Sequence, residues 1–193
     1  EAALDKAGVP YRTVKGKGFY QRREVYDLYL ALKALVYPED DLNTYGLLRS
    51  PFFGFSDDEL FSMMINVNEE EGYSLLEEVV REYPEVKAKF DKWQQLKEKI
   101  SLDQLITTIL IDCGAYGSCQ AGSSGQQRLA NFQKLIEEAA EFTYEQGNSL
   151  YRFLERLEML MEEEDKEGEA EVEIEEGNFV KLMTIHAAKG KEF

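Results

Sequence analysis

The residues best suited to chemistry gather in the last fourteen positions, Val180-Lys181-Leu182-Met183-Thr184-Ile185-His186-Ala187-Ala188-Lys189-Gly190-Lys191-Glu192-Phe193. An apolar run there delivers a hydroxyl at Thr184, an imidazole at His186, an ammonium at Lys189 and an unhindered glycine backbone at Gly190. Those groups, with free backbone N–H, are the donors that grip phosphate and sugar, so a strand carrying them at a sheet edge suits contact with a nucleic-acid backbone. Taken alone, His186, the one histidine of the chain, reads more readily as a structural hydrogen-bonder. A second group of cations, Arg12, Lys15, Lys17, Arg22 and Arg23, lies with no acid among it. That patch reads equally as nucleic-acid contact or as solvated surface. Arg22-Arg23-Glu24 by itself reads better as a helix start with a salt-bridged, solvated face.

The rest of the composition narrows what these residues can do. A formal net charge of -16 over 193 residues excludes a broad phosphate-binding surface, because nonspecific DNA affinity comes mostly from Lys and Arg. DNA contact must then be local. There is no G-x-x-x-x-G-K-[ST] loop, no acidic strand to hold magnesium and no nuclease-type carboxylate cluster, so the chain alone should bind no ATP and catalyse nothing. Cys113 and Cys119 are the two cysteines and lack a C-x-x-C spacing, so no metal site and a reduced, cytoplasmic setting are expected. No apolar run approaches the roughly 18 residues of a membrane span. Starting at Glu1 and stopping after Lys191-Glu192-Phe193, the sequence reads as a piece of a longer protein, monomeric in isolation.

Periodicity supplies the elements that must position these groups. Residues 1–8 read as the end of a helix closed by Gly8, and Pro10 favours an extended Tyr11-Arg12-Thr13-Val14. Val25, Leu28, Tyr29, Leu32, Leu35 and Val36 mark a helix over residues 22–36, stopped by Pro38. Asp40 or Asp41 caps a short helix to Leu48, and Ser56-Asp57-Asp58-Glu59 forms a capping box opening another. A helix follows Pro84, Ser101 caps one with Leu102, Leu105, Ile106, Ile109 and Leu110 inward, and residues 114–125 read as a loop. Two further helices carry Leu129, Phe132, Leu135, Ile136 and Ala139, then Leu150, Phe153, Leu154, Leu157 and Met161, the latter capped by Asn148 or Ser149. These stripes are core. Residues 162–176 hold ten acids against one lysine, too self-repelling to pack, and read as a mobile connector. A strand is expected within residues 179–185.

The terminal string as a whole resembles motif V of superfamily 1 helicases, in which T-[IVL]-H-x-[AS]-K-G-L-E-F follows an apolar strand. Upstream, Gly8-Val9-Pro10-Tyr11 and Gly18-Phe19-Tyr20-Gln21-Arg22-Arg23-Glu24-Val25-Tyr26-Asp27 resemble the "GIPY" and "G.FF.R.EI.D" stretches of the UvrD/RecB/AddA helicases. Asp40-Asp41 with Leu47-Leu48-Arg49-Ser50-Pro51, then Gly54-Phe55-Ser56-Asp57-Asp58-Glu59-Leu60 and Gly125-Gln126-Gln127-Arg128-Leu129-Ala130-Asn131, resemble further segments, the last two pointing to the AddA-like branch. Phe55 and Ser56 stand where other branches carry a Gly-Ile-Gly duplex-gripping turn, and Lys191 stands where the family usually has Leu.

The resemblance implies a mainly α fold: a helical accessory insertion flanked by short β-containing pieces of a RecA-like motor domain. It implies motor pieces at residues 1–37 and 178–193, the insertion at 38–161 and the connector at 162–177. It further implies single-stranded DNA contacts from Thr184, His186, Lys189 and Gly190, with Arg22 and Arg23 as further DNA candidates and Glu192 at the nucleotide ribose. The parent would be an ATP- and magnesium-dependent DNA helicase, with an exonuclease function or partner subunit, in double-strand-break repair and recombination. The competing reading is an acidic helical protein-interaction module without a DNA role.

Overall fold

The computed structural model describes residues 4, 7–9, 11–14, 18–66, 74–119, 125–162 and 180–183. At its start Gly8 takes φ +63°, and the Val9 N–H reaches back to the Leu4 carbonyl at 3.0 Å. This is the six-to-one bond that closes a helix through a left-handed glycine. Strand β1, Tyr11–Val14, follows as the sequence predicts.

Between β1 and the closing strand the described chain is helical. Helix α1 spans Arg23–Val36 and ends at Tyr37, which stands before Pro38 and takes non-helical backbone. Helix α2, Asp41–Arg49, is capped by Asp40, whose carboxylate accepts from Asn43 N. Helix α3, Asp57–Asn66, opens with the expected box: Ser56 N donates to Glu59 Oε2 at 2.8 Å and Glu59 N to Ser56 Oγ at 3.3 Å. Helix α4, Leu75–Glu82, is not among the elements expected from periodicity, although Ser74 and Glu77 form a second capping box. Pro84 separates it from α5, Pro84–Leu96, because a proline fits the first turn of a new helix but not the interior of a continuing one.

Helix α6, Leu102–Asp112, begins at Ser101 as predicted, but the Ser101 hydroxyl makes no capping bond. Its carbonyl instead starts the ladder, accepting from Leu105 N at 2.9 Å. The loop expected over residues 114–125 is corrected at both ends. Gly114, at φ +65°, terminates α6, but Ala115–Cys119 then forms a short helix, α7. Ala115 and Cys119 are buried, and burying both ends of one turn favours a helix over an open loop. Helix α8, Gly125–Gln146, starts on the glycine itself. Helix α9, Leu150–Glu162, is capped by Ser149 Oγ on Arg152 N at 3.4 Å, while Asn148 Nδ2 instead donates to the Ile100 carbonyl at 2.8 Å. The acidic connector beyond Glu162 lies outside the described residues.

The closing strand β2, Val180–Met183, pairs in parallel with β1 in the register Tyr11 with Val180 and Val14 with Met183. Opposite ends of the described chain thus form one two-stranded ribbon.

The core is organised by α1. Val25, Leu28, Leu32 and Leu35 are almost wholly buried, and α1 packs against α2, α5, α6, α8 and α9. Helix α1, which the resemblance places in the motor piece at residues 1–37, thus packs against the helices that follow it. One of its C-terminal carbonyls is satisfied from α5 and the turn after it: Gln94 Nε2 and Lys97 Nζ both donate to the Leu35 carbonyl, at 3.0 and 3.1 Å. A cation there also complements the negative end of the helix.

Candidate nucleic-acid interface

Parallel pairing makes the chain leave both strands at the same edge. Val14 and Met183 are register partners; the residue bonded to the first is Lys15, and the residue bonded to the second is Thr184. The carboxyl ends of the two parallel strands, at Val14 and Met183, are therefore neighbours. Thr184, His186, Lys189, Gly190 and Glu192 lie outside the described residues, as do Lys15 and Lys17. Arg12 sits in β1 opposite Lys181.

Arg22 and Arg23 are described, and they differ. Arg22 is half-buried in the N-cap position of α1 with extended backbone. Arg23 is exposed, its Nε 3.9 Å from Asp27 Oδ2 one helical turn on, a spacing too long for a hydrogen bond. Of the expected solvated face only Arg23 fits. Glu24 is half-buried and accepts from Asn131 Nδ2 of α8 at 2.7 Å, and Asn131 Oδ1 accepts in turn from Gln127 Nε2 at 3.2 Å.

That bond belongs to a larger fastening. The chain leaving β1 turns at Gly18, φ +92°, and continues through Phe19 and Tyr20, both buried. Lys134 Nζ stands 4.1 Å from the centre of the Phe19 ring, and the Tyr20 hydroxyl donates to Glu138 Oε2 at 3.2 Å. Gln127, Asn131, Lys134 and Glu138 recur at three- and four-residue spacing, so one stripe of α8 holds the exit from β1 against the helical body. The segment ending at Asn131 carries part of the family resemblance, but its sequence alone assigns it no task. The available signal is the pair Gln127 and Asn131, four apart beside an apolar stripe.

Other residues that carry the resemblance perform structural work. Asp40 caps α2, and Asp41 Oδ1 accepts from Leu75 N at 2.7 Å, capping α4 from a distance. Asp57 takes Arg49 Nε at 2.6 Å and the Tyr45 hydroxyl at 2.9 Å, and the Tyr45 and Arg49 hydrogen bonds hold its carboxyl below the usual range. A Cβ on Gly125 would run into the Cys119 carbonyl, which explains the glycine there. Two groups stand out chemically. Burial pushes the Asp27 carboxyl up to about 6, against the pull of Arg23 and with the help of Glu24. Burial likewise pushes the Cys113 thiol up to about 12, so it is no thiolate nucleophile.

Among the described residues no three His, Cys, Asp or Glu side chains gather to hold a metal ion, and no helix is long and apolar enough to cross a membrane. The UvrD-like helicase C-terminal domain family matches residues 1–193. The chain is 28% identical over 197 residues to an ATP-dependent helicase/nuclease subunit of Thermoanaerobacter pseudethanolicus. It is 27% identical over 206 residues to the protein of the same name from Clostridium beijerinckii. To that of Lysinibacillus sphaericus it is 28% identical over 199 residues. These matches cover 97 to 98% of this chain and 16% of each relative.

Proposed function

Because this chain belongs to the UvrD-like helicase C-terminal domain family, we propose that it forms the accessory helical body of an ATP-dependent DNA helicase. In this reading the body is inserted into the second RecA-like motor domain, whose flanking pieces include β1 and β2. The observation that carries the proposal is the parallel pairing of Tyr11–Val14 with Val180–Met183 across the whole intervening run of helices. A body whose entry and exit strands are neighbours can be inserted without disturbing the domain that hosts it. In this reading the motor piece is residues 1–37 and the insertion 38–161, and α1 is where the first packs against the second. The connector at residues 162–177 returns the chain to β2 and the motor piece at 178–193.

The string beginning at Thr184 then meets single-stranded DNA through Thr184, His186, Lys189 and Gly190, with Glu192 toward the nucleotide ribose. Arg22 and Arg23 flank the same edge. ATP and magnesium belong to the whole protein: this sequence holds neither the phosphate loop nor the magnesium carboxylate, so the chain contributes DNA contacts rather than hydrolysis. The relatives' name, ATP-dependent helicase/nuclease subunit, supports a helicase acting with a nuclease beside a second subunit; our reading adds that it serves cytoplasmic double-strand-break repair and recombination.

The test is single-stranded DNA binding by the full-length protein as salt rises, with and without His186→Ala. A steep salt dependence and a loss on substitution support the DNA reading. DNA binding untouched by the substitution supports the alternative, an acidic interaction module without a DNA role.

A further inference from the structure

Two sets of side-chain contacts tie the segment after β1 to α8. In the first, the Phe19 and Tyr20 rings meet edge to face with centres 4.9 Å apart. Lys134 Nζ lies 4.1 Å from the centre of the Phe19 ring and 3.9 Å from Glu138 Oε1, while Glu138 Oε2 accepts from the Tyr20 hydroxyl at 3.2 Å. The second set is the bond from Asn131 Nδ2 to Glu24 Oε1 at 2.7 Å, with Gln127 Nε2 behind it on Asn131 Oδ1. Phe19 and Asn131 are completely buried, and the Lys134 and Glu138 side chains are mostly covered.

Burial of Phe19 alone would hold the segment to the helical body, but that attraction is non-directional. Bonds between set donors and acceptors add a fixed orientation. The span so oriented carries Arg22 and Arg23: Tyr20 is tied on one side of them and Glu24 on the other, and Arg22 N donates to the Phe19 carbonyl at 3.1 Å. With the motor piece at residues 1–37 and the insertion at 38–161, Tyr20 and Glu24 belong to the first and Asn131 and Glu138 to the second, so these bonds cross from one to the other.

We propose that Asn131 and Glu138 are positioning residues: through Glu24 and Tyr20 they hold Arg22, Arg23 and the exit of β1 in the orientation in which the protein engages single-stranded DNA. This role rests on the DNA contact proposed above and names the part that the insertion plays in it. The helical body then acts on DNA without touching it, which suits a chain whose formal charge of -16 disfavours a broad phosphate contact.

The test measures ATP hydrolysis by the full-length protein against rising oligothymidylate concentration. Asn131→Ala should raise the concentration giving half-maximal stimulation by about fivefold or more, with hydrolysis in the absence of DNA and the KM for ATP unchanged. Tyr20→Phe, which deletes one hydroxyl and keeps the buried ring, should shift it in the same direction and serves if Asn131→Ala fails to fold. Glu24→Gln keeps the acceptor for Asn131 and should behave as the unaltered protein, whereas Glu24→Ala should match Asn131→Ala and the double variant should be no worse than either. A purely structural role predicts lower melting temperatures and hydrolysis reduced in the same proportion with and without DNA, at an unmoved half-stimulating concentration; that result overturns the proposal. His186→Ala is measured alongside. Should it shift the DNA dependence while Asn131→Ala and Tyr20→Phe do not, the positioning role alone falls; should none of the three shift it, the DNA contact falls as well.

Discussion

Asn131 Nδ2 donates to Glu24 Oε1 at 2.7 Å, joining the first turn of α1 to the second turn of α8, with the Asn131 end fully buried. Replacing Asn131 with Ala leaves the Glu24 carboxylate short of a donor in a half-buried site. Unfolding in urea should show a loss of about 1–3 kcal/mol, the usual penalty for stranding a buried polar group. Asn131→Asp should be worse, because it sets two carboxylates face to face. An Asn131→Ala protein as stable as the parent would mean that the bond contributes nothing.

Asp27 predicts an unusual pH dependence. Its folded value, about 6, lies above the ordinary 3.8, so the folded state binds the extra proton and this group's contribution falls as pH rises from about 4 to about 7. Asp27→Asn removes the penalty and should stabilise the protein by roughly 1–3 kcal/mol at neutral pH, with the gain fading near pH 4. Denaturation across that range checks it. A gain that grows toward low pH would contradict the assignment.

Gly125→Ala should destabilise by about 2 kcal/mol or more, because the new methyl meets the Cys119 backbone rather than a movable side chain. Gly114→Ala should cost only about 1 kcal/mol, since there the strain is that of φ +65° with open space around it. Thermal melting of the two variants gives the order directly; equal melting temperatures would refute the close approach.

How far the sequence reveals this molecule depends on the kind of signal. Long apolar stripes place α1, α6, α8 and α9, because burying one helical face leaves a three- and four-residue imprint. Pro38, Pro84 and Gly8 place the breaks, since proline restricts the backbone and glycine alone readily takes the left-handed turn that closes a helix. Helix α4 escapes notice although Ser74 and Glu77 announce it, because eight residues carry too little periodicity to stand out. Helix α7 reads as loop because its two buried ends, Ala115 and Cys119, leave no stripe at all. Pairing between β1 and β2 can be anticipated only from the family resemblance, since contact across so long a separation leaves no local trace. The same holds for the site. Terminal donors are legible as residue types, whereas the Glu24 and Asn131 bond arises only when distant elements meet.

The isolated chain should release no phosphate from ATP and bind DNA weakly and salt-sensitively. A few contacts of about 1 kcal/mol each do not offset an association cost of several kcal/mol. Single-stranded and forked DNA titrated at about 50 and 200 mM salt tests this. Submicromolar binding at the higher salt, or turnover above background, would require an independent function.

The central claim, that this chain brings a DNA contact to a motor completed elsewhere, is tested most directly by ATP hydrolysis of the full-length protein with His186→Ala. Stimulation by single-stranded DNA should fall by about tenfold or more, equivalent to roughly 1.4 kcal/mol or more of lost coupling, while hydrolysis without DNA stays unchanged. Full stimulation in the variant, with the same dependence on DNA concentration as the unaltered protein, would contradict the account.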